Sequence, residues 1–569
     1  MRKPRLLVAT AAISLAATAL VTTTGATTAS GEQAATTTAK TSYVVLADKG
    51  TSVKALADKL RARGAKVTRV NRAIGMVTAT STRAGFATQV RRLDNVAGVA
   101  RNRSIGMAPP TPIHFAPKPR PFDRSRANGT GQIPAPPAGH DPLDGLLWGM
   151  DMVRAIEAHA TEKGDDRVTV GVLDTGIQAD HPDLAPNFDA DKSRNFTTDI
   201  PAVDGPCEYA GCKDPANIDD GGHGTHVAGT IAAALNGIGV SGVAPDVTLV
   251  NIRGGQDSGY FFLSPSVDAL TYAGNTGIDV VNMSFYVDPW LYNCIGGAPE
   301  DTAAQAAEQG VIIEAMTRAL DYAHDNGVTL VGSLGNNHED LANPRNDFTS
   351  PDYPPGTEHE RTIDNDTCFD LPVEGPHVLG TSALGPSGRK ADYSNYTTDL
   401  ASGEIELSAP GGWFRDGLGT DSYRTNGNLI LSTAPKHVLQ ASGEVNKHGF
   451  ITKLGRINGV LRQCKNGVCG YYQWLQGTSM ASPHASGVAA LAISAHGSFV
   501  SAAEGLSWAP DSVRALLMSS ATDHACPPGG VQSYVDVGRS EEFTATCVGT
   551  PAFNGFYGAG IVNALGAVQ

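Results

Sequence analysis

Beyond its N-terminus the sequence lacks a long apolar run, and it lacks an excess of positive charge. After the first ~30 residues no stretch approaches the ~20 apolar residues that a membrane-spanning helix needs. The net charge of -14 argues against nucleic acid as the main partner, because nucleic-acid binding relies on positive surface charge. Aromatic residues make up only 6% of the chain, whereas 65 Gly and 34 Pro indicate a compact, loop-rich protein.

The first 29 residues are typical of a secretory signal peptide. Basic residues come first, an apolar run extends from Leu6 to about Val21, and small residues follow through Ala29. A membrane anchor is the alternative, but the run is short and diluted with Ala, Ser and Thr. We therefore expect residues 1–29 to be removed, and the mature protein to be secreted, extracellular and without membrane attachment.

Cysteine is absent from the first 200 residues, and all eight cysteines follow. An even number of cysteines in an exported chain favours disulfide bonds. Proximity suggests the pairs Cys207–Cys212, Cys464–Cys469 and Cys526–Cys547, which leaves Cys294–Cys368. The pairing stays open, since eight cysteines allow 105 connectivities. Zinc is the alternative, although the close pairs lack the C-x-x-C spacing usual at zinc sites.

Residues 42–107 have the pattern of a small separate domain. Strand and helix patterns follow the order β-α-β-β-α-β, which is the ferredoxin-like arrangement. This segment carries thirteen Lys/Arg and three Asp/Glu, whereas residues 147–569 carry 22 and 50. Opposite charge favours docking of the two segments, with a solvated basic surface as the alternative. Ten prolines between residues 108 and 143 predict that residues 108–146 form an extended, easily cut linker.

From residue 147 onward, strand and helix patterns alternate along the chain. Such alternation predicts an α/β fold with a mainly parallel sheet and helices on both faces. Residues 412–472 break the rhythm and predict a long insertion, and residues 287–325 predict a further insertion.

Three short motifs place reactive side chains at the ends of predicted elements. Asp174 follows the buried strand 168–173, and His223 opens a helix. Ser479 precedes a helix predicted over 480–495, whose unpaired N–H groups can stabilise an oxyanion. Each motif has a plainer interpretation. Asp174 and Ser479 resemble turn or N-cap residues, and His223 with His226 resembles a zinc pair without the glutamate of H-E-x-x-H.

Taken together, the motifs resemble the signatures of the subtilisin-like serine peptidases (subtilases). These are Asp174-Thr175-Gly176, His223-Gly224-Thr225-His226 and Gly477-Thr478-Ser479-Met480-Ala481-Ser482-Pro483-His484, in the chain order known for subtilisin. The resemblance covers residues 147–569, and residues 42–107 resemble the family's inhibitory propeptide. It implies that Ser479 is the nucleophile, that His223 is the general base and then the acid, and that Asp174 orients the imidazole.

Two further segments acquire roles from the resemblance. Leu334-Gly335-Asn336 matches the segment whose Asn side chain donates to the oxyanion, so Asn336 takes that role. Asn282-Met283-Ser284 matches the strand that binds the substrate backbone, which implies substrate contacts at Ser284 and Phe285. The family usually continues with Leu and glycines, whereas this chain has Phe285-Tyr286-Val287. The two aromatics either narrow the specificity pocket or, for Phe285, pack in the core.

A calcium site is implied by two more segments. Asp180-His181-Pro182-Asp183-Leu184 and Asn236-Gly237-Ile238-Gly239-Val240 resemble the two parts of a calcium site in some subtilisins. Asp183 would supply a carboxylate and Asn236 an amide oxygen, which are the hard ligands that calcium prefers. The alternative is a turn capped by Asn and Gly. The chemistry itself needs no cofactor.

The expected function is that of a secreted serine endopeptidase, made as a zymogen that processes itself. Its partners would be protein or peptide substrates and its own propeptide as inhibitor, and the simplest state is a monomer. A peptidase specialised for one secreted substrate is the first alternative, which the aromatics and insertions favour. The second is an inactive binding protein on the same fold, whose usual mark, the loss of a triad residue, the sequence does not carry.

Overall fold

A computed structural model describes residues 40–102, 135–201, 203–287, 289–500 and 505–569. The predicted signal peptide lies outside this part. Residues 103–134, which include the end of the predicted small domain and most of the predicted linker, lie outside it as well. Within the described part, no helix combines the length and apolar character needed to cross a bilayer. Residues Lys40–Gln569 pack as one unit.

The N-terminal segment forms a four-stranded antiparallel sheet covered on one face by two helices. Its elements are β1 (Thr41–Ala47), α1 (Val53–Ala62), β2 (Lys66–Asn71), β3 (Met76–Ser81), α2 (Phe86–Arg91) and β4 (Val96–Arg101). The strand order β2-β3-β1-β4 is the ferredoxin-like topology, as predicted. The sequence pattern predicts a helix over residues 84–95, but α2 ends at Arg91. The chain then turns at Asn95, which has a left-handed conformation.

Alternate residues of β1 face two different cores, as the period of a strand requires. Val45 packs with Leu60 of α1 and Phe86 of α2. Val44 and Leu46, on the other face, belong to a core shared with the large domain. This sheet is therefore buried on both faces, and one face is covered only by the large domain.

The large domain alternates strands and helices, as predicted. Its first elements are α3 (Trp148–Met152), α4 (Ala155–Ala158), β5 (Thr169–Leu173), β6 (Arg194–Asn195), α5 (His223–Ala232), β7 (Thr248–Arg253), α6 (Leu263–Thr276), β8 (Val280–Met283), β9 (Asn293–Cys294), α7 (Ala303–Asp325), β10 (Thr329–Ser333), β11 (Cys368–Phe369), β12 (Val378–Leu384) and β13 (Leu407–Pro410). Next come β14 (Ile430–Thr433), α8 (Lys436–Ala441), α9 (Lys453–Asn458), β15 (Leu461–Lys465) and β16 (Val468–Leu475), which belong to the predicted insertion. The chain ends with α10 (Thr478–His496), β17 (Ser498–Val500), β18 (Gly505–Ser507), α11 (Pro510–Ser520), β19 (Val531–Gln532), β20 (Ala545–Thr546), β21 (Gly549–Thr550), β22 (Phe553–Asn554) and α12 (Ala564–Ala567).

A parallel sheet with the order β13-β12-β10-β8-β5-β7-β6 forms the centre of the large domain. Helices α5 and α10 contribute to the core on one face, and α6 and α7 to the core on the other. The α/β fold with helices on both faces is therefore confirmed. The small domain packs against the face formed by α6 and α7.

The disulfide bonds follow the pairs that sequence proximity suggested. They are Cys207–Cys212, Cys294–Cys368, Cys464–Cys469 and Cys526–Cys547. The described residues contain no free cysteine. Cys294–Cys368 joins β9 to β11, so it fixes the segment that follows Cys368 against the body of the domain.

Candidate active site

The predicted site residues meet because three neighbouring strands end at one edge of the sheet. Leu173 of β5 pairs with Met283 of β8, and Met283 pairs with Gly332 of β10. The residues that follow these pairs therefore lie side by side, with Asp174 after β5 and Ser284 after β8. Ligand sites of open parallel sheets lie at this carboxyl edge.

Asp174 and His223 form a buried pair at this edge. The Nδ1 atom of His223 lies 2.8 Å from Oδ1 of Asp174, which also accepts the N–H of Thr175 at 2.7 Å. Burial disfavours a charged imidazole, but the charge and hydrogen bond of Asp174 outweigh it and raise the pKa of His223. Asp174 can therefore hold His223 in the tautomer that leaves Nε2 as the acceptor.

Two features of the chain bring α5 this close to Asp174. A Cβ on Gly224 would lie 2.2 Å from the Gly176 carbonyl oxygen, so only glycine allows this approach. The buried Asp219 carboxylate accepts the N–H groups of Gly222 and Thr225, both at 2.8 Å, and so caps α5. Sequence analysis missed Asp219, although an acidic residue shortly before a predicted helix start is a recognised capping signal.

Ser479 lies in the first turn of α10, which begins two residues earlier than the sequence predicts. The residue is fully buried, and its hydroxyl donates to the Ser284 carbonyl at 3.3 Å. The Nε2 atom of His223 has no hydrogen-bond partner among the described residues. The Ser479 hydroxyl and Nε2 of His223 are therefore not hydrogen-bonded to each other in this structure, and catalytic hydrogen bonds are often misaligned before a substrate binds.

Asn336 is oriented beside the nucleophile by Thr478. Its Oδ1 atom accepts the Thr478 N–H at 2.9 Å and the Thr478 hydroxyl at 3.0 Å. These bonds use the amide oxygen and leave Nδ2 as the donor. The Ser479 N–H belongs to the first turn of a helix, where it has no intrahelical acceptor. Asn336 and the Ser479 backbone can together supply two donors to one oxyanion.

Ser284 and Phe285 are placed next to Ser479, but their side chains serve the protein interior. The Ser284 hydroxyl donates to the Ser479 carbonyl at 3.1 Å and lies 2.8 Å from the Ser482 hydroxyl. The Phe285 ring stacks on Phe261 with 4.0 Å between ring centroids and is only 2% exposed. Of the two interpretations of Phe285, core packing describes its ring. The predicted substrate contacts at both residues would therefore fall mainly to the backbone.

A small pocket opens beside Asn336. The residues that line it include Phe285, Tyr286, Ser333, Gly335, Asn336 and Asp370. Asp370 was not among the predicted site residues. It follows β11 in a stretch with little periodicity, and the nearby Cys368 was the only sequence signal for its location.

Asp183 and Asn236, the predicted calcium ligands, accept several hydrogen bonds from the protein itself. The Asn236 amide oxygen accepts the Ile238 N–H at 3.1 Å, and the Asn236 carbonyl accepts the Lys465 ammonium at 2.7 Å. Oδ2 of Asp183 accepts the Tyr472 hydroxyl at 2.9 Å, and burial raises the pKa of Asp183 to about 7. Oδ1 of Asp183, in contrast, has no hydrogen-bond partner among the described residues, so a calcium site at Asp183 and Asn236 stays a prediction.

His226 contacts neither Asp174 nor Ser479 through any hydrogen bond in the described part. Its Nε2 atom lies 3.2 Å from the Ile430 carbonyl and 3.3 Å from the Gln473 carbonyl. Burial lowers the pKa of His226 to about 3, so the ring is neutral. It ties α5 to β14 and β16.

Several known proteins resemble this chain in sequence or in fold. Residues 165–560 match the subtilase family, Peptidase_S8. Subtilisin DY of Bacillus licheniformis is 26% identical over 347 residues, which is 61% of this chain and 84% of that protein. The epidermin leader peptide processing serine protease EpiP of Staphylococcus aureus has a TM-score of 0.60 at 18% identity, over 93% of this chain and 98% of that one. Fervidolysin of Fervidobacterium pennivorans has a TM-score of 0.56 at 22% identity, over 95% and 62%. These two structures share the fold.

Proposed function

Because the chain belongs to the subtilase family of serine endopeptidases, we propose that it is a secreted peptidase made as a zymogen that processes itself. The observation that carries this proposal is the hydrogen bond of 2.8 Å between Asp174 and His223. Asp174 follows β5, and at the end of the neighbouring strand β8 the Ser284 carbonyl accepts the Ser479 hydroxyl. In the proposed reaction Ser479 attacks a peptide carbonyl while His223 takes its proton. His223 then returns the proton to the leaving amine, and water releases the acyl group from Ser479.

The docked small domain supports the role of an inhibitory propeptide. The buried Arg318 side chain of α7 donates from Nη1 to the Ala47 carbonyl at 2.8 Å and to the Ile74 carbonyl at 3.0 Å. The Asn71 amide donates to Asp268 of α6 at 2.7 Å. Both contacts pair groups that would otherwise be buried without partners. We infer that the small domain assists folding of the large one and remains bound after the linker is cut.

Export is part of the same proposal. The signal-peptide pattern of residues 1–29 and the disulfide bonds both fit an oxidising, extracellular environment. No cofactor takes part in the proposed reaction, since a serine, an imidazole and a carboxylate supply all the groups that acyl transfer needs.

A specialised processing peptidase is the second candidate function. EpiP, which shares the fold, is by its name a leader peptide processing protease. In this chain Phe285 and the half-buried Tyr286 stand at the pocket beside Asn336, where smaller residues would leave it wider. A casein digest compared with a defined peptide library separates a general degrader from a narrow one.

The proposal is tested by the intact mass of the secreted product, for wild type and for Ser479→Ala. We expect the wild type to lose about its first 105–145 residues, up to the predicted linker, and Ser479→Ala to stay whole after signal removal. Turnover of any peptide should fall by about 10⁶-fold in the variant, the magnitude known for loss of the nucleophile in subtilisin itself.

Ser519→Ala is the matched control, since Ser519 is an exposed serine on α11. It should mature as the wild type does. If wild type stays whole and cleaves no peptide, the proposal fails. If Ser479→Ala is cut at the wild-type position when expressed alone, another protease carries out the maturation.

A further inference from the structure

The pocket beside Asn336 is placed to receive the substrate side chain nearest the attacked carbonyl. Gly335 donates its N–H to the Thr478 hydroxyl at 3.1 Å, and Ser284 contacts Ser479 directly. The segments that contain Gly335 and Phe285 thus flank the nucleophile, and both line the pocket. In a substrate residue whose carbonyl carbon lies at Ser479, the side chain branches from the adjacent Cα. This pocket is therefore where that side chain goes.

Asp370 forms a wall of the pocket with a buried carboxyl group that lacks a partner. The residue is 2% exposed, and its Oδ1 atom has no hydrogen-bond partner. Its Oδ2 atom lies 3.3 Å from the position that a Cβ on Gly335 would take, so the carboxyl group lies beside Gly335, and both residues line the pocket. The Cys294–Cys368 disulfide bond and the pairing of Phe369 with Asn293 fix the segment just before Asp370. The carboxyl group is therefore rigidly placed.

A second carboxyl group, that of Glu374, lies next to Asp370. It accepts the Asp370 N–H, while the Glu374 N–H donates to the Asp370 carbonyl at 2.9 Å. Burial, and for Glu374 also the charge of Asp370, raises the pKa of both groups well above the ordinary range. Two neighbouring buried carboxyl groups disfavour the charged form unless a cation arrives.

Basic side chains of the protein do not neutralise this pair. Arg345 pairs with Glu339 at 2.6 Å, and Arg361 pairs with Asp347 at 2.5 Å. No described basic residue forms an ion pair with Asp370 or Glu374. Nor does Asp370 belong to any group of described residues whose side chains converge as metal ligands do. Among the described residues, therefore, no basic group supplies a positive charge to Asp370.

We propose that the pocket binds a Lys or Arg side chain of the substrate residue that precedes the cleaved bond, with Asp370 as its ion-pair partner. Glu374 lies behind Asp370 and accepts its N–H. The aliphatic stem of such a side chain would pass Tyr286 while its charged end reaches the carboxyl group. The inference rests on the proposed peptidase function and makes Asp370 a specificity-determining residue, separate from the groups that perform the chemistry.

The test uses peptides that differ only at the residue before the cleaved bond, with Arg, Lys, Leu or citrulline, the neutral isostere of Arg. For the mature wild type we expect kcat/KM for Arg to exceed that for citrulline by about 10²-fold or more, because a buried charge pair is lost. In Asp370→Asn, kcat/KM for Arg should fall by about the same factor, with citrulline changed only a few-fold. Asp366→Asn removes the same charge from an exposed position four residues earlier and should keep the wild-type ratio.

The outcomes separate this inference from the proposed function. If wild type cleaves Leu or citrulline peptides as well as Arg peptides, Asp370 does not select charge, although the chain is still a peptidase. If wild type cleaves none of them, the proposed function fails as well. The wild-type ratio alone decides the matter should Asp370→Asn not fold. A variant that folds without maturing can be cut by added tagged wild type, which is then removed.

Discussion

The catalytic corner (Asp174, His223, Ser479 and Asn336) and the acidic pocket (Asp370 and Glu374) lie side by side but are built in opposite ways. In the catalytic corner, protein groups orient one another, as Asp174 orients His223 and Thr478 orients Asn336. In the acidic pocket, a buried carboxyl group is held rigidly but has no partner on Oδ1. Asp174 and Thr478 therefore orient groups of the corner without a substrate, whereas we propose that the carboxyl group of the pocket finds its partner in the substrate. Changes in the corner should affect all peptides alike, and changes in the pocket should divide them by charge.

Within the corner, Asp174→Asn should have the largest effect after loss of the nucleophile. An amide at this position favours the wrong His223 tautomer, and we expect kcat to fall by about 10⁴-fold for charged and neutral peptides alike. The pH profile gives an independent readout. The base must be neutral to act, and Asp174 raises the pKa of His223, so the acid limb of kcat/KM lies above the ordinary value for histidine.

In Asp174→Asn this acid limb should move to lower pH, because the carboxylate that stabilises the charged imidazole is gone. A peptide with Leu before the cleaved bond is used, so that the acidic pocket does not contribute to the profile. Asp180→Asn, a change at an exposed acid shortly after the same strand, is the control and should leave the limb in place. A limb that stays put or moves upward in Asp174→Asn would contradict the assigned coupling.

Asn336→Ala should have the next largest effect. Removing one oxyanion donor costs about 10²- to 10³-fold in kcat, a magnitude taken from subtilisin. KM should change little, since the donor acts on charge that develops during the reaction. Asn337→Ala separates the two neighbouring amides. If Asn337→Ala has the larger effect on kcat, the donor has been assigned to the wrong residue.

The smallest effect is expected at a third buried acid, Asp183, where the protein's own Tyr472 donates to the carboxyl group. A calcium chelator should leave the Tm of the mature protein essentially unchanged. Tyr472→Phe, in contrast, should lower the free energy of unfolding by about 1–3 kcal/mol, because Asp183 loses a donor while staying buried. A large drop in Tm on chelation alone would show that calcium does bind here. In contrast to Asp183, the carboxyl group of Asp370 accepts no side-chain hydrogen bond that the described residues show.

The catalytic corner could be predicted from sequence because its residues lie in contiguous motifs at element ends. Asp174 follows an apolar strand, and Ser479 lies at the start of a small-residue helix that contains Pro483. The alternation of strands and helices was likewise enough to predict the parallel sheet. Such local patterns determine where a chain turns, and the carboxyl edge of the sheet then brings the turns together.

The acidic pocket could not be predicted in this way. Asp370 follows a two-residue strand in a stretch without periodicity, and it reaches the pocket through the Cys294–Cys368 bond and pairing with β9. The predicted calcium site depends on distant residues in a similar way. Asp183 and Asn236 match a local pattern, but Tyr472 and Lys465, which donate to Oδ2 of Asp183 and to the Asn236 carbonyl, come from a distant insertion. Non-local contacts decide whether a buried acid is satisfied, and short motifs do not contain them.

The most direct test of this division is the ratio of kcat/KM for Arg and citrulline peptides, measured together in Asn336→Ala and Asp370→Asn. We predict that Asn336→Ala lowers both values and keeps the wild-type ratio within about threefold, as expected for independent contributions. Asp370→Asn should instead reduce the ratio to about one, because its pocket no longer distinguishes a cation from its neutral isostere. A ratio that collapses in Asn336→Ala, or one that survives in Asp370→Asn, would contradict the separation of chemistry from charge selection.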